Sequence, residues 1–392
     1  MNLLNLFNSL TVLQKSLAVS ILSVIFFVGS AGASYSMFSK GSISLGSIGL
    51  SGPLPGPASS VTEDPGEPRT EACPLNGNMH TKKAKEAWEQ RRPLAVMIEN
   101  HQESRPQSGL STADVVYEAV AEGGITRFMA LFYCNLGDTQ VGPVRSARTY
   151  FLDWLGEYDG SYAHVGGANT PGPADALGQI IKYGVKDLNQ FSIGFPTFWR
   201  DYQRLGRPVA TEHTMYSTTQ KLWSVAAKKG FLVKDERGVD WNKFFVPWKF
   251  KDEDKTRGTV GKIEVNFWQN KGDYQVNWEY DGGCNCYKRS QGSVAHTDLN
   301  TKNQLAAKLV IIQFQRESNA NDGYENNAHM LYGTIGKGKV LVFQDGNVSE
   351  GTWNKSSRVV RSKYLDQSGK EINLNRGQIW IQTVPEGAKV TY

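Results

Sequence analysis

The stretch 113–133, ADVVYEAVAEGGITRFMALFY, constrains the fold of this chain more than any other. Two runs rich in β-branched and aromatic residues flank Gly123-Gly124, and a glycine pair between such runs is a hairpin signal. With a two-residue loop, Glu118 faces Met129 and Arg127 lies diagonal to it on the same side, so the two charges are expected to meet. A shift of one residue would send them to opposite faces.

The remaining patterns fill in the body. RPLAVMIEN (92–100) reads as a buried strand, 150–167 as a helix leading into a strand, and 174–183 as a short helix. The segment 217–230 reads as a helix capped by Ser217 and closed by Gly230. From about residue 231 the texture changes. The runs 262–268, 274–280, 308–315, 339–346, 351–360 and 378–384 are short, alternating or apolar, and separated by Gly, Asp and Asn turns. The expected fold class is therefore α+β: a mixed α/β N-terminal domain over 73–235, then a β-rich C-terminal domain over 236–392.

Two segments of different character precede these domains. The run 17–38, LAVSILSVIFFVGSAGASYSMF, carries no charge and is about long enough to cross a bilayer as a helix. Ala31-Gly32-Ala33 also fits a signal-peptidase site, so secretion after cleavage is the alternative. Apolar character continues through Tyr35, Met37 and Phe38, which favours a signal-anchor over residues 1–38. Residues 39–72 are Gly/Ser/Pro-rich and read as a disordered linker, holding a domain roughly 30 Å from its anchor. The expected location is the cell membrane, single-pass, with the folded domains extracytoplasmic.

Charge and cysteine content narrow the chemistry. The net charge is +5, with 43 basic and 38 acidic residues interspersed rather than gathered in a stripe, so no nucleic-acid partner is expected. An exported chain can oxidise Cys73, Cys134, Cys284 and Cys286, with three connectivities open. Cys284 and Cys286 are too close for an easy mutual bridge. Paired C-x-x-C spacing is missing, so neither a metal nor another cofactor is expected.

Polar residues at strand ends and in loops mark the expected ligand-binding set: Asn100, Arg105, Glu118, Arg127, Arg145, Arg148, His164 and His213. In VGPVRSART (141–149), Gly142-Pro143 is read as the start of a helix that puts Arg145 and Arg148 on one face. Guanidinium forks suit carboxylates and phosphates, which points to an anionic cell-wall ligand or an envelope protein as partner. The competing fate for these arginines is structural pairing with Glu118, Glu122 and Asp114. The alternative function is a hydrolase or transferase acting on a cell-wall polymer, drawing its acid and base from His164, His213 and Glu118. Glu118 and Glu122 would be the carboxylate pair of a glycosidase. Ser146 lacks a G-x-S-x-G elbow, and no residue is assigned a catalytic role. Strands around Trp268, Trp278, Trp353 and Trp380 supply either a partner surface or core.

Several long stretches together carry a resemblance. RPLAVMIEN, RPQSGLSTADVVYEAVAEGGITRF and VGPVRSART resemble the YerB-like family of bacterial surface proteins. YKRSQGSVAHTDLNTKNQLAAKLVIIQF and YLDQSGKEINLNRGQIWIQTVP extend that resemblance, so that it covers residues 73–392. It implies an N-terminal domain of unknown function, a smaller C-terminal domain and an envelope address, with no established reaction. Members typically carry a lipid-attachment cysteine after the signal sequence. This chain has none there, so a transmembrane anchor is expected in its place. Thr214 and Cys286 stand where the family tends to have Asn.

Overall fold

The computed structural model describes Asp64 and residues 66–269, 271–324 and 329–392. The expected anchor over 1–38 and nearly all of the linker over 39–72 lie outside the described residues. Among the described residues no helix is long and apolar enough to cross a membrane.

The first half supplies strands β1 (Leu94–Glu99), β2 (Val115–Glu122), β3 (Ile125–Phe132), β4 (Ser161–His164) and β5 (Lys186–Asn189). Its helices are α1 (Lys82–Trp88), α2 (Thr149–Leu155), α3 (Ala176–Lys182), α4 (Gln190–Ile193) and α5 (Thr219–Lys228). The second half adds β6 (Lys262–Val265), β7 (Val276–Asp281), β8 (Cys286–Gln291) and β9 (Leu309–Gln315). It continues with β10 (Gly336–Gln344), β11 (Asn347–Lys355), β12 (Lys363–Asp366) and β13 (Ile379–Pro385). Mixed sheets dominate and helices are few, as an α+β reading requires.

One ten-stranded sheet runs through both halves in the order β12-β11-β10-β9-β13-β2-β3-β1-β4-β5. The joint is β13, which lies parallel to both β9 and β2 and pairs Ile379 with Val115 and Gln382 with Glu118. Ile379, Trp380 and Ile381 are all fully buried, as in a central strand covered on both faces. On one face Tyr117 stacks on Trp154 of α2, with ring centroids 5.3 Å apart. On the other, Trp380 meets Trp278 of β7 edge-on at 5.3 Å, where the smaller sheet containing β6, β7 and β8 packs. Trp278, Trp353 and Trp380 thus belong to the core.

The expected hairpin forms, with a changed register. Beside the turn Glu122 faces Ile125, as a two-residue loop requires. A bulge at Ala121 then shifts the pairing by one, so Glu118 faces Phe128 and Arg127 faces Ala119. The extra residue inverts which side chains share a face. Glu118 and Arg127 therefore point to opposite sides of the sheet, and the expected contact between them does not exist. Glu118 and Glu122 part in the same way.

Three local expectations also change. Residues 142–148 do not begin a helix; α2 starts at Thr149, and Arg148 before it is extended. The backbone of this segment is bonded elsewhere: Val144 N–H to Met215 O, Arg145 N–H to Met97 O, and Ala147 N–H to Gly166 O. Gly142 has φ of 142°, and a Cβ there would meet Met215 O at 2.8 Å. The cap of α5 is Thr218, whose hydroxyl accepts from Lys221 N–H, while Ser217 pairs with Val141 in a short strand. Finally, Cys284 bridges Cys286, and Cys73 bridges Cys134. The near-neighbour bridge closes because Asn285 adopts a left-handed φ of 48°, held by Tyr280 and Asp345, with the flanking Cα atoms 5.2 Å apart.

Candidate functional site: an arginine cluster beside an open pocket

The bulge divides the charged residues into two networks. On the face toward the smaller sheet, Glu118 is fully buried and accepts four hydrogen bonds. They come from Arg289 (2.9 Å), Thr126 (3.0 Å), Gln382 (2.8 Å) and the Trp380 indole (3.1 Å). The Arg289 guanidinium lies among the rings of Trp380, Trp278 and Phe128 at 4.9, 5.3 and 5.7 Å. Burial draws its pKa down to about 10, which leaves it charged at neutral pH. His296 accepts from Arg289 and faces Gln107, and burial pushes its pKa well below the usual range, so it stays neutral. Asn100 donates to Thr126 and Gln291, and Arg105 donates to Asn100 and to the Asp273 carbonyl. Three expected site residues, Asn100, Arg105 and Glu118, thus join the two halves.

On the opposite face, Arg127, Arg145 and Arg148 gather around Glu99 and Glu122. Arg127 lies 3.0 Å from Glu122 and 3.7 Å from Glu99 and donates to the Ser146 carbonyl. Arg145 Nε donates to Glu99 at 2.5 Å, and Arg148 pairs with Glu122. Burial opposes ionisation of both carboxyls. The Arg127 and Arg145 charges outweigh it at Glu99, and those of Arg127 and Arg148 at Glu122, so both pKa values fall below the ordinary range. Three guanidinium groups against two carboxylates leave one positive charge over. Arg127 and Arg148 are sealed in; Arg145, at 26% side-chain exposure, is the member that reaches solvent.

Arg145 opens into a pocket of about 520 Å³, whose walls include Gly166, Gly167, Phe191, Arg200 and Glu212. Phe191 of α4 is 76% exposed and lies over Gly166, where a Cβ would meet its ring at 2.8 Å. Arg200 donates to Thr214 Oγ1 and to the Thr211 carbonyl. His164 is buried beneath this loop, with Nδ1 2.7 Å from Gly166 O and Nε2 2.7 Å from Asp187. It props the pocket floor and does not line it. His213, beside Glu212, stacks on His101 with centroids 4.7 Å apart and planes 6° from parallel, and burial lowers its pKa. Of the eight expected residues, the structure brings Arg127, Arg145, Arg148, His164 and His213 to this side and Asn100, Arg105 and Glu118 to the other. Sequence reasoning missed Glu99, Phe191, Arg200, Glu212, His101 and Arg289. Only Glu99, at the end of a recognisable buried strand, carried a signal: a carboxylate there needs a cation.

Comparisons with known proteins agree with this architecture. Residues 79–232 match the N-terminal domain, and residues 263–381 the C-terminal domain, of DUF3048, a protein family of unknown function. YerB of Bacillus subtilis (strain 168), named as a candidate lipoprotein, is 33% identical over 317 residues, covering 80% of this chain and 86% of YerB. The crystal structure of YerB protein from Bacillus subtilis superimposes with a TM-score of 0.68 at 29% identity, covering 82% of this chain and all of that one. This two-domain chain therefore belongs to the DUF3048 family, homologous to YerB of Bacillus subtilis.

Proposed function

We propose that this protein is a binding module of the cell envelope that takes an anionic group of a cell-wall polymer, or of an envelope partner, in the pocket beside Arg145. The observation that carries the reading is the surplus positive charge of the arginine cluster, in which Arg145 is the one arginine of the three that reaches solvent. Arg200 on the pocket wall adds a second cation, and Glu212 restrains the site toward ligands of mixed charge. Arg145 Nε is fixed on Glu99 while the residue lines the pocket, so its guanidinium is held in place, which lowers the ordering cost of binding an oxyanion. Binding is favoured over catalysis because Glu118 and His164 are both buried with their polar atoms already bonded, which leaves neither able to reach a substrate proton. All four cysteines are consumed in disulfides, so the apolar run 17–38 takes the anchoring role that the YerB name assigns to lipid.

The test is retention of the full-length protein on isolated cell walls. Arg145→Gln with Arg200→Gln should abolish retention while circular dichroism shows the fold intact, with unfolding at a lower temperature because buried Glu99 loses a partner, and wild-type retention should weaken with added salt. Retention that survives both substitutions would refute the pocket as the binding site.

A further inference from the structure

We propose that His101, Glu103 and His213 form an open binding site for a divalent transition metal of the zinc type. One donor atom from each of the three lies within 4.8 Å of the other two. The set spans the first loop after β1 and a short helical turn 110 residues later, so no spacing in the sequence announces it. Two imidazoles and one carboxylate are a donor set that zinc takes with a fourth position left to water.

Two independent features point to a ligand here. Neither ring nitrogen of His213 makes a hydrogen bond, although its side chain is only 6% exposed. Nδ1 is buried without a partner, and Nε2 stands 3.9 Å from Glu103 Oε2, too far to bond. A buried ring nitrogen without a partner calls for an explanation. In addition, the backbone N–H of Ala210 holds the same Glu103 oxygen toward His213 at 3.1 Å. Glu103 is half-exposed and His101 partly so, which leaves the fourth side open to solvent.

Metal binding asks one imidazole to turn out of the stack, because rings 6° from parallel cannot aim their in-plane lone pairs at one ion. Tetrahedral zinc with bonds of ~2.0–2.1 Å places its ligands roughly 3.4 Å apart, so donors that lie within 4.8 Å of one another close in by at most about 1.4 Å. The metal also replaces the long hydrogen bond of 3.3 Å from Glu103 N–H to His101 Nδ1. That lone pair, or the opposite nitrogen after a half-turn of the ring, becomes the third ligand. Arg207 caps the carbonyls of Glu103 and Arg105, so the loop carrying two of the ligands is held in place. The site adjoins the arginine pocket: His213 follows Glu212 of the pocket wall and lies within electrostatic reach of Arg145. A bound metal would thus add positive charge beside the cations already there.

The experiment titrates Co²⁺, then Zn²⁺, into the metal-stripped full-length protein. One equivalent of Co²⁺ should raise the visible absorption bands of a low-symmetry site, and Zn²⁺ should displace it. His101→Ala and Glu103→Gln, both at accessible positions, should each weaken binding at least ~100-fold, beyond the 10–100-fold typical of losing a supporting partner only. His213→Ala should do the same, with circular dichroism as its folding control. Arg145→Gln should leave Co²⁺ binding within a few-fold, which separates this site from the anion pocket. Absence of the bands, or affinity that survives both His101→Ala and Glu103→Gln, overturns the proposal and marks any uptake as adventitious.

Discussion

Replacing Arg289 by Met tests how the two halves are held together. Arg289 and Glu118 are both fully buried, 2.9 Å apart. At an effective dielectric of about 20, opposite unit charges at that distance attract by about 6 kcal/mol. Glu118 keeps Thr126, Gln382 and Trp380 as donors after the substitution, so part of its solvation survives. Breaking one side of a buried pair costs about 3–5 kcal/mol, chiefly because a charge is left without its partner. With an m-value of about 3 kcal/mol/M, urea unfolding should show a midpoint about 1–1.7 M lower. Adding Glu118→Gln should recover a large part of that loss, since the double variant buries no net charge. A single-variant midpoint shift below about 0.3 M, or no recovery in the double variant, would refute the account of this pair as the joint between the halves.

Other consequences follow from the same geometry. Glu99 and Glu122 have folded pKa values below their ordinary 4.5, so their stabilising contribution is complete above that pH and is lost as pH falls through the folded values; Glu122→Gln should flatten an acid unfolding curve in that window. Asp114 behaves oppositely: burial raises its pKa from 3.8 to about 6, so stability should fall as pH rises through that interval, by up to about 3 kcal/mol. An Asp114→Asn chain that keeps the full slope between those pH values would contradict this assignment. Opening the Cys73–Cys134 bridge, which closes a 61-residue separation, should cost about 4 kcal/mol by loop entropy, whereas Cys284→Ser with Cys286→Ser should cost far less. Calorimetric unfolding of the two double-serine variants measures both.

What could be read in advance follows a physical divide. Strands announced themselves through apolar content: Leu94–Glu99, Val115–Glu122, Ile125–Phe132 and Leu309–Gln315 all fall where alternating or apolar runs place them. The long family stretches likewise carried the membership. Register was not legible, because nothing in AVAEGG distinguishes a plain hairpin from one with a bulge at Ala121, yet that residue decides which network Glu118 joins. The start of α2 was misread because the Val144, Arg145 and Ala147 amides are taken by distant carbonyls that local propensity cannot see. For the site, residue types were informative and partners were not. Arg145 and Arg148 were visible as a pair, but Glu99 lies 46 residues from the arginine it orients, and His101 meets His213 across the fold. The Cys284–Cys286 bridge escaped because it depends on one left-handed residue, Asn285.

Anion binding by the surplus charge at Arg145 is open to direct measurement. Isothermal titration of the full-length protein with a short inorganic polyphosphate and with a wall stem peptide bearing free carboxylates measures it. Wild-type protein should bind one of the two with an affinity that falls as salt rises, and Arg145→Gln should weaken that binding by roughly tenfold or more, the loss of one charge-assisted contact of about 1.5–3 kcal/mol. Equal binding by wild type and Arg145→Gln, or no binding of either anion, would contradict it.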